Sequence, residues 1–96
     1  MARIELVPEI QDDFDRILEH LAEHAVADAS GRIREIIEAI GALQHNPLIG
    51  RSVSPSTREL VIGRSVRGYV ALYRYVEPVD TVFVLAIRSQ REAGYR

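Results

Sequence analysis

Thr81-Val82-Phe83-Val84-Leu85-Ala86-Ile87-Arg88 is the most apolar run in the chain, and it stops on an arginine. Rich in β-branched and aromatic residues and bounded by the turn formers Glu77-Pro78-Val79-Asp80, it reads as a strand buried in the centre of a sheet. Upstream, Val66 to Tyr75 reads as a longer strand with Tyr69, Ala71, Tyr73 and Tyr75 on one face. Arg58 to Ile62 reads as another strand, and Gly63-Arg64-Ser65 as the turn between the two. Connections this short favour an antiparallel meander. Ser89 to Arg96 reads as a polar tail.

The first half has a different period. Arg3 to Val7 reads as a short strand. Pro8 suits the first turn of a helix, where a missing N–H costs nothing. Ile10, Phe14, Ile17, Leu18 and Leu21 then follow at helical spacing, giving an amphipathic helix over Pro8 to His24. Asp28 suits the N-cap of a second helix, whose apolar stripe is Ile33, Ile36, Ile37, Ile40 and Leu43 and which Asn46-Pro47 ends. Leu48 to Thr57 reads as a loop. The order is β-α-α-β-β-β, an α+β fold: a short N-terminal strand, a two-helix hairpin and a three-stranded antiparallel meander. Both meander faces carry apolar residues, and two helices cover only one. Either some of Val70, Leu72, Val82 and Val84 face a partner, or the sheet closes its core within the chain.

Ninety-six residues suffice for one domain and bury only roughly 60–65% of the unfolded surface. We therefore expect 1–96 to form a single domain. No stretch approaches the ~18–20 apolar residues of a membrane span, no signal-peptide core opens the chain, and cysteine is absent. These features exclude a disulfide scaffold and a thiolate metal site, and they predict a cytoplasmic protein with no membrane partner. Net charge is −2, but residues 1–48 carry −6 and residues 49–96 carry +4. All twelve basic residues are arginine. A basic half of this kind suits an acidic partner or nucleic acid.

Several segments, in order, resemble the RelE/ParE family of type II toxins. They are Asn46-Pro47-Leu48-Ile49-Gly50-Arg51, Thr57-Arg58-Glu59-Leu60-Val61, Tyr69 to Tyr75, and Val84 to Tyr95, preceded by Pro8-Glu9 and Phe14-Asp15-Arg16-Ile17. The Asn-Pro-x-x-Gly-Arg and Thr-Arg-Glu-Leu pieces lean towards the ParE branch. The resemblance implies a toxin with a role in plasmid stabilisation, a neutralising ParD-like antitoxin whose C-terminal segment wraps the toxin, and a toxin–antitoxin hetero-oligomer. It also implies one of two targets, DNA gyrase for ParE-like members or messenger RNA on the ribosome for RelE-like members.

Cutting RNA needs a general base, a cation for the phosphate and a general acid. Where RelE-like nucleases carry a strand arginine this chain has Val70, and it has no lysine. Many relatives carry histidine where this chain has Ser89. His20 and His24, spaced i, i+4, can bind a metal in principle, but no family motif accompanies them, and an exposed helix face is the favoured reading. We expect no metal and no cofactor. Gyrase poisoning therefore ranks above ribosome-dependent cleavage, for which Glu59, Arg88 and Tyr95 would be the catalytic residues. The candidate target-binding residues are Arg88, Arg91, Tyr95, Arg58 and Arg74. Arg58 and Glu59 also read as a cross-strand ion pair. Because one sheet face is apolar and the domain small, the chain co-purified with its neighbouring gene product should melt well above the free chain. Equal midpoints in paired thermal melts would remove that expectation.

Overall fold

The computed structural model describes residues 1–24, 27–63 and 68–90. Strand β1 (Arg3–Leu6) leads into helix α1 (Ile10–Glu23), followed by helix α2 (Ala29–Gly41) and a 3-10 turn at Ala42–Gln44. Four strands follow: β2 (Arg51–Ser52), β3 (Arg58–Ile62), β4 (Tyr69–Val76) and β5 (Thr81–Ser89). They form one sheet in the order β1-β5-β4-β3-β2. The β3-β4-β5 meander is antiparallel, as expected. The N-terminal strand adds to it in parallel on β5, pairing Arg3 with Thr81 through Leu6 with Val84. That placement makes β5 an inner strand, and it is why the most apolar run tolerates burial on both sides.

Helix α2 begins where expected: the Asp28 carboxylate accepts the Gly31 N–H at 3.2 Å. It ends at Gly41, a poor helix former, before the chain reaches Asn46-Pro47. The segment read as a loop, residues 48–57, contains the two-residue strand β2, paired with Arg58 and Glu59 of β3. Between β4 and β5 the chain turns through Glu77–Val79, and Asp80 takes the left-handed conformation with φ 45°. That conformation is open to Asp because its short polar side chain tolerates it. Residues 66 and 67, which begin the strand expected over Val66 to Tyr75, lie outside the described residues, as do Arg64 and Ser65 of the preceding turn.

The core lies between the helices and one sheet face. Tyr69, Ala71 and Tyr73 of β4 face it, with Tyr75 packed alongside. Val82, Val84 and Ile87 of β5 join them, so Val82 and Val84 belong to the core and not to the spare face. Val84 and Ile87 are three apart, which strict alternation would place on opposite faces. A bulge resolves this. Leu72 pairs with Ala86 and Tyr73 with Val84, leaving Leu85 as the extra residue. Val61, Val70, Leu72 and Ala86, cross-strand neighbours of one another, occupy the opposite face.

Two details of the helical stripe differ from the sequence reading. Leu18 and Ile37 are exposed, at 43% and 56%. Asp13 is buried instead, only 8% exposed, on the same face of α1 as Ile10, Ile17 and Leu21. The reason is the short β1. It covers the β5 edge as far as Val84, and the Ile87 backbone beyond has no strand to bond. The Asp13 Oδ2 accepts the Ile87 N–H at 2.9 Å, and the Arg16 Nη2 donates to the Ile87 carbonyl at 3.0 Å. Arg16 Nη1 also donates to Asp13 Oδ1 at 2.9 Å. One helical turn thus supplies the acceptor and donor that a strand residue would supply. At the outer edge of β1, Arg3 and Glu5 form an exposed ion pair at 2.9 Å.

Replacing Asp13 by Ala orphans the Ile87 N–H and removes one of the partners of Arg16. The expected cost is about 2–4 kcal/mol, or roughly a 10–20 °C fall in melting temperature. Amide exchange at Ile87 should quicken with it. A melting temperature within a couple of degrees of wild type would show that the edge is satisfied by other means.

Candidate functional site

The loop before β3 is held down by a tyrosine. The Gly50 N–H donates to the Tyr73 hydroxyl oxygen at 2.8 Å, and Tyr73 is fully buried. A Cβ on residue 50 would lie 2.6 Å from that oxygen and 2.7 Å from the Glu59 carbonyl, so only glycine fits. Burial pushes the Tyr73 phenol above its ordinary value of 10.0. The Gly50 hydrogen bond and the Arg58 charge pull the other way without cancelling it. Tyr75 is also raised, chiefly because its hydroxyl donates to Asp80 Oδ1 at 2.6 Å.

Arg58 opens β3 and turns back on this loop, its Nη1 donating to the Leu48 carbonyl at 3.1 Å and the Gly50 carbonyl at 2.8 Å. Glu59, the next residue, points to the other face, as successive strand residues must. It is 7% exposed and pairs with Arg51 across β2–β3. The Arg58–Glu59 ion pair expected from the sequence is therefore replaced by Arg51–Glu59. Arg74, an exposed residue of β4, shares an open cleft with Arg58; its other walls include Ser54, Ser56, Thr57 and Tyr75.

Arg88 lies elsewhere. It pairs with Val70 in the β4–β5 ladder, four residues along β4 from Arg74, about 13 Å at 3.3 Å per residue. Its Nη1 sits 3.9 Å from Asp13 Oδ1, and its side chain is 46% exposed. Asp13 thus tethers Arg88 loosely at the sheet margin. Arg91 and Tyr95 lie outside the described residues. The polar tail begins later than expected. Ser89 completes β5, and Gln90 is 7% exposed, with its N–H donating to the Gly68 carbonyl at 3.0 Å. Among the described residues the Gln90 Nε2 is buried without a hydrogen-bond partner.

The structure thus places Arg58 and Arg74 along one cleft, on opposite faces of neighbouring strands, and holds Arg88 apart. Sequence reasoning missed Asp13, Arg16 and Arg51. Asp13 had a legible signal, since it occupies a stripe position between Ile10 and Ile17. Val70 is 1% exposed, so the site of the expected nuclease arginine is an aliphatic side chain closed off from solvent. His20 and His24 stack on an exposed helix face with ring centroids 4.3 Å apart. Among the described residues no three potential ligands form a metal site, and no helix is long and apolar enough to cross a membrane.

A family model for the ParE toxin of the type II toxin–antitoxin system parDE matches residues 4–94. The chain belongs to that toxin family. A solved structure of the chromosomal ParDE system from P. aeruginosa is similar at 23% identity with a TM-score of 0.74, over 93% of this chain and 96% of that one. The intact E. coli RelBE toxin–antitoxin complex is similar at 12% identity and a TM-score of 0.62, over 93% and 96%. A mutant E. coli toxin RelE in complex with an antitoxin RelBc peptide gives 10% and 0.61, over 99% and 95%. At these identities the likeness is one of fold. No curated protein matches the chain.

A raised tyrosine pKa means that the fold favours the neutral phenol. The stability it confers is complete below pH 10 and is lost as pH rises past that value. Tyr73→Phe leaves the buried Gly50 N–H without its acceptor and should cost about 1–2 kcal/mol at neutral pH. The gap between wild type and Tyr73→Phe should then narrow as pH rises past 10, because the variant has no buried phenol to ionise. Denaturant melts on either side of pH 10 measure it, and a constant gap would contradict the assignment.

Proposed function

We propose that residues 1–96 act as a single toxin domain that arrests growth in the cytoplasm by binding and poisoning DNA gyrase. A cognate ParD-like antitoxin, bound in a hetero-oligomer, neutralises it. Val70 carries this reading: nuclease chemistry needs a solvent-facing cation and a free base, and the position where the resemblance expects the arginine holds an aliphatic side chain only 1% exposed. Glu59 is a poor base because Arg51 already holds its carboxylate. Membership of the ParE family supports the gyrase target, and the similar ParDE and RelBE complexes support an antitoxin partner. The apolar opposite face, with Val61 half-exposed, suits a wrapping segment.

In this reading the target meets arginines that rigid elements present. Arg88 stands near the end of β5 and Arg58 and Arg74 line the cleft; Arg91 and Tyr95 are target contacts in this reading on the ground of sequence alone. Arginine suits the task because its planar fork of donors binds acidic groups with defined geometry.

Induction in a bacterium without the antitoxin should relax plasmid supercoiling or trap cleaved DNA, with messenger RNA intact by primer extension. Arg88→Ala, and a chain ending at Gln90, should each restore growth while circular dichroism reports an unchanged fold. Reproducible cuts within codons would replace the gyrase reading with ribosome-dependent cleavage and make Glu59, Arg88 and Tyr95 the residues to substitute first.

A further inference from the structure

We propose that Asp13 is a positioning residue for Arg88: it holds the guanidinium at the sheet margin with its hydrogen-bond donors unspent, ready for a carboxylate of the target. Arg88 starts from the face opposite the helices, because it pairs with Val70 in the β4–β5 ladder. Yet its Nη1 comes within 3.9 Å of a carboxylate oxygen carried by α1, on the other side of the sheet. The route is the bare end of the β5 edge. Strand β1 pairs no further along β5 than Leu6 with Val84, so it does not stand between Arg88 and Asp13. The short strand that calls for a helix to cap Ile87 also leaves the passage by which Arg88 reaches that helix.

Asp13 serves three groups, and unequally. Its Oδ2 accepts the Ile87 N–H at 2.9 Å, and its Oδ1 accepts Arg16 Nη1 at 2.9 Å. Arg88 is the third partner, at a distance too long for a hydrogen bond. Among the described residues Arg88 makes no side-chain hydrogen bond, so the attraction of opposite charges is what orients it. That attraction survives screening because the Asp13 side chain is largely out of water. When Arg88 leaves, Asp13 keeps Arg16 and the Ile87 N–H, and no buried charge is orphaned. The hold is therefore cheap to break. It still restricts a side chain of large rotamer freedom before the target arrives, which lowers the cost of ordering it on binding.

The contact also suggests what draws Arg88 away. One guanidinium fork binds a carboxylate through two parallel N–H···O bonds, both shorter and stronger than the long contact to Asp13. An incoming carboxylate thus wins Arg88 by geometry, with no difference in charge required. Arg16 is fixed where Arg88 is poised, since its two Nη nitrogens donate to Asp13 and to the Ile87 carbonyl. This inference rests on the target-binding reading of Arg88. Its spectroscopic arm is measured on the free chain, so it can fail while that reading stands.

The test compares three full-length, nitrogen-15-labelled chains: wild type, Asp13→Asn and Arg16→Gln. Relaxation of the arginine Nε–H signals reports side-chain mobility. In wild type Arg88 should be more restrained than Arg34, an exposed arginine of α2. Asp13→Asn keeps an oxygen for the Ile87 N–H but drops the charge, so Arg88 should become as mobile as Arg34. The amount of chain needed to arrest growth should rise roughly two- to fivefold, as befits a half-exposed ion pair. Arg16→Gln disturbs the same contact between α1 and β5 but leaves Asp13 its charge. Arg88 should stay restrained there, and arrest should stay near wild type. If Asp13→Asn fails to fold, the comparison of Arg88 with Arg34 in wild type decides alone. The proposal is overturned by an Arg88 as mobile as Arg34 in wild type, or by an Arg88 that Asp13→Asn does not loosen. Arrest unchanged in Asp13→Asn overturns it too, as does equal loss in both variants, which would make Asp13 a matter of helix seating alone. An Arg88→Ala chain that still arrests growth removes the target-binding reading of Arg88, and this inference with it.

Discussion

The carboxylate of Asp13 and the guanidinium of Arg16 close the backbone of Ile87, and much of the architecture follows from that contact. A four-residue strand cannot cover a nine-residue neighbour. Beyond Val84 the inner strand would present a bare donor and acceptor to a helix, where a buried peptide group left unpaired costs free energy comparable to a lost hydrogen bond. Placing both partners on one turn of α1 fixes the helix in rotation and in height against the sheet, because a shift of one residue would break both bonds. The same carboxylate lies beside Arg88, so the element that seats the helix also restrains the first arginine of the basic margin.

The bulge at Leu85 is the second constraint. Without the extra residue, Val84 and Ile87 would face opposite sides and the core would lose one of its fully buried aliphatics. With it, the strand keeps both inside and turns Ala86 and Arg88 outwards, beside Leu72 and Val70. The sheet consequently has one side packed on the helices and a second apolar side on which Val70 and Ala86 are buried and Val61 is half-exposed. Bulges commonly re-aim side chains near functional surfaces, and here the re-aimed residue is an arginine.

Much of this was legible in the chain itself. Arg58–Ile62 announces its strand by composition. The alternation of Tyr69, Ala71, Tyr73 and Tyr75 identifies the inward face of β4, and Asp28 marks the start of α2. What was not legible depends on long-range pairing. Thr81 to Arg88 contains almost no polar residue to label a face, so the period alone cannot assign Val82 and Val84 to the core. The parallel docking of Arg3–Leu6 on β5 joins segments nearly eighty residues apart, and no local signal specifies it. Arg51–Ser52 is too short a strand to leave a pattern. Asp13 shows in the stripe spacing alone, while its chemistry points the other way: an acid among acids on a helix reads as solvated, and the unfilled edge of β5 explains its burial. For the candidate site, arginine identity was visible, but the division into a cleft pair and a distant margin residue was not.

The sheet's boundaries have a further consequence for how a free chain behaves in a crowded cell. One boundary is the two-residue β2, another is β1 with its Arg3–Glu5 charges, and the third is the stretch of β5 that a helix already occupies. Among the described residues the bare apolar length left is Leu60–Ile62 of β3, beyond the reach of β2, and three residues make a short template for a neighbour's strand. A chain of this kind has little sheet edge with which to seed fibrils while it stands alone.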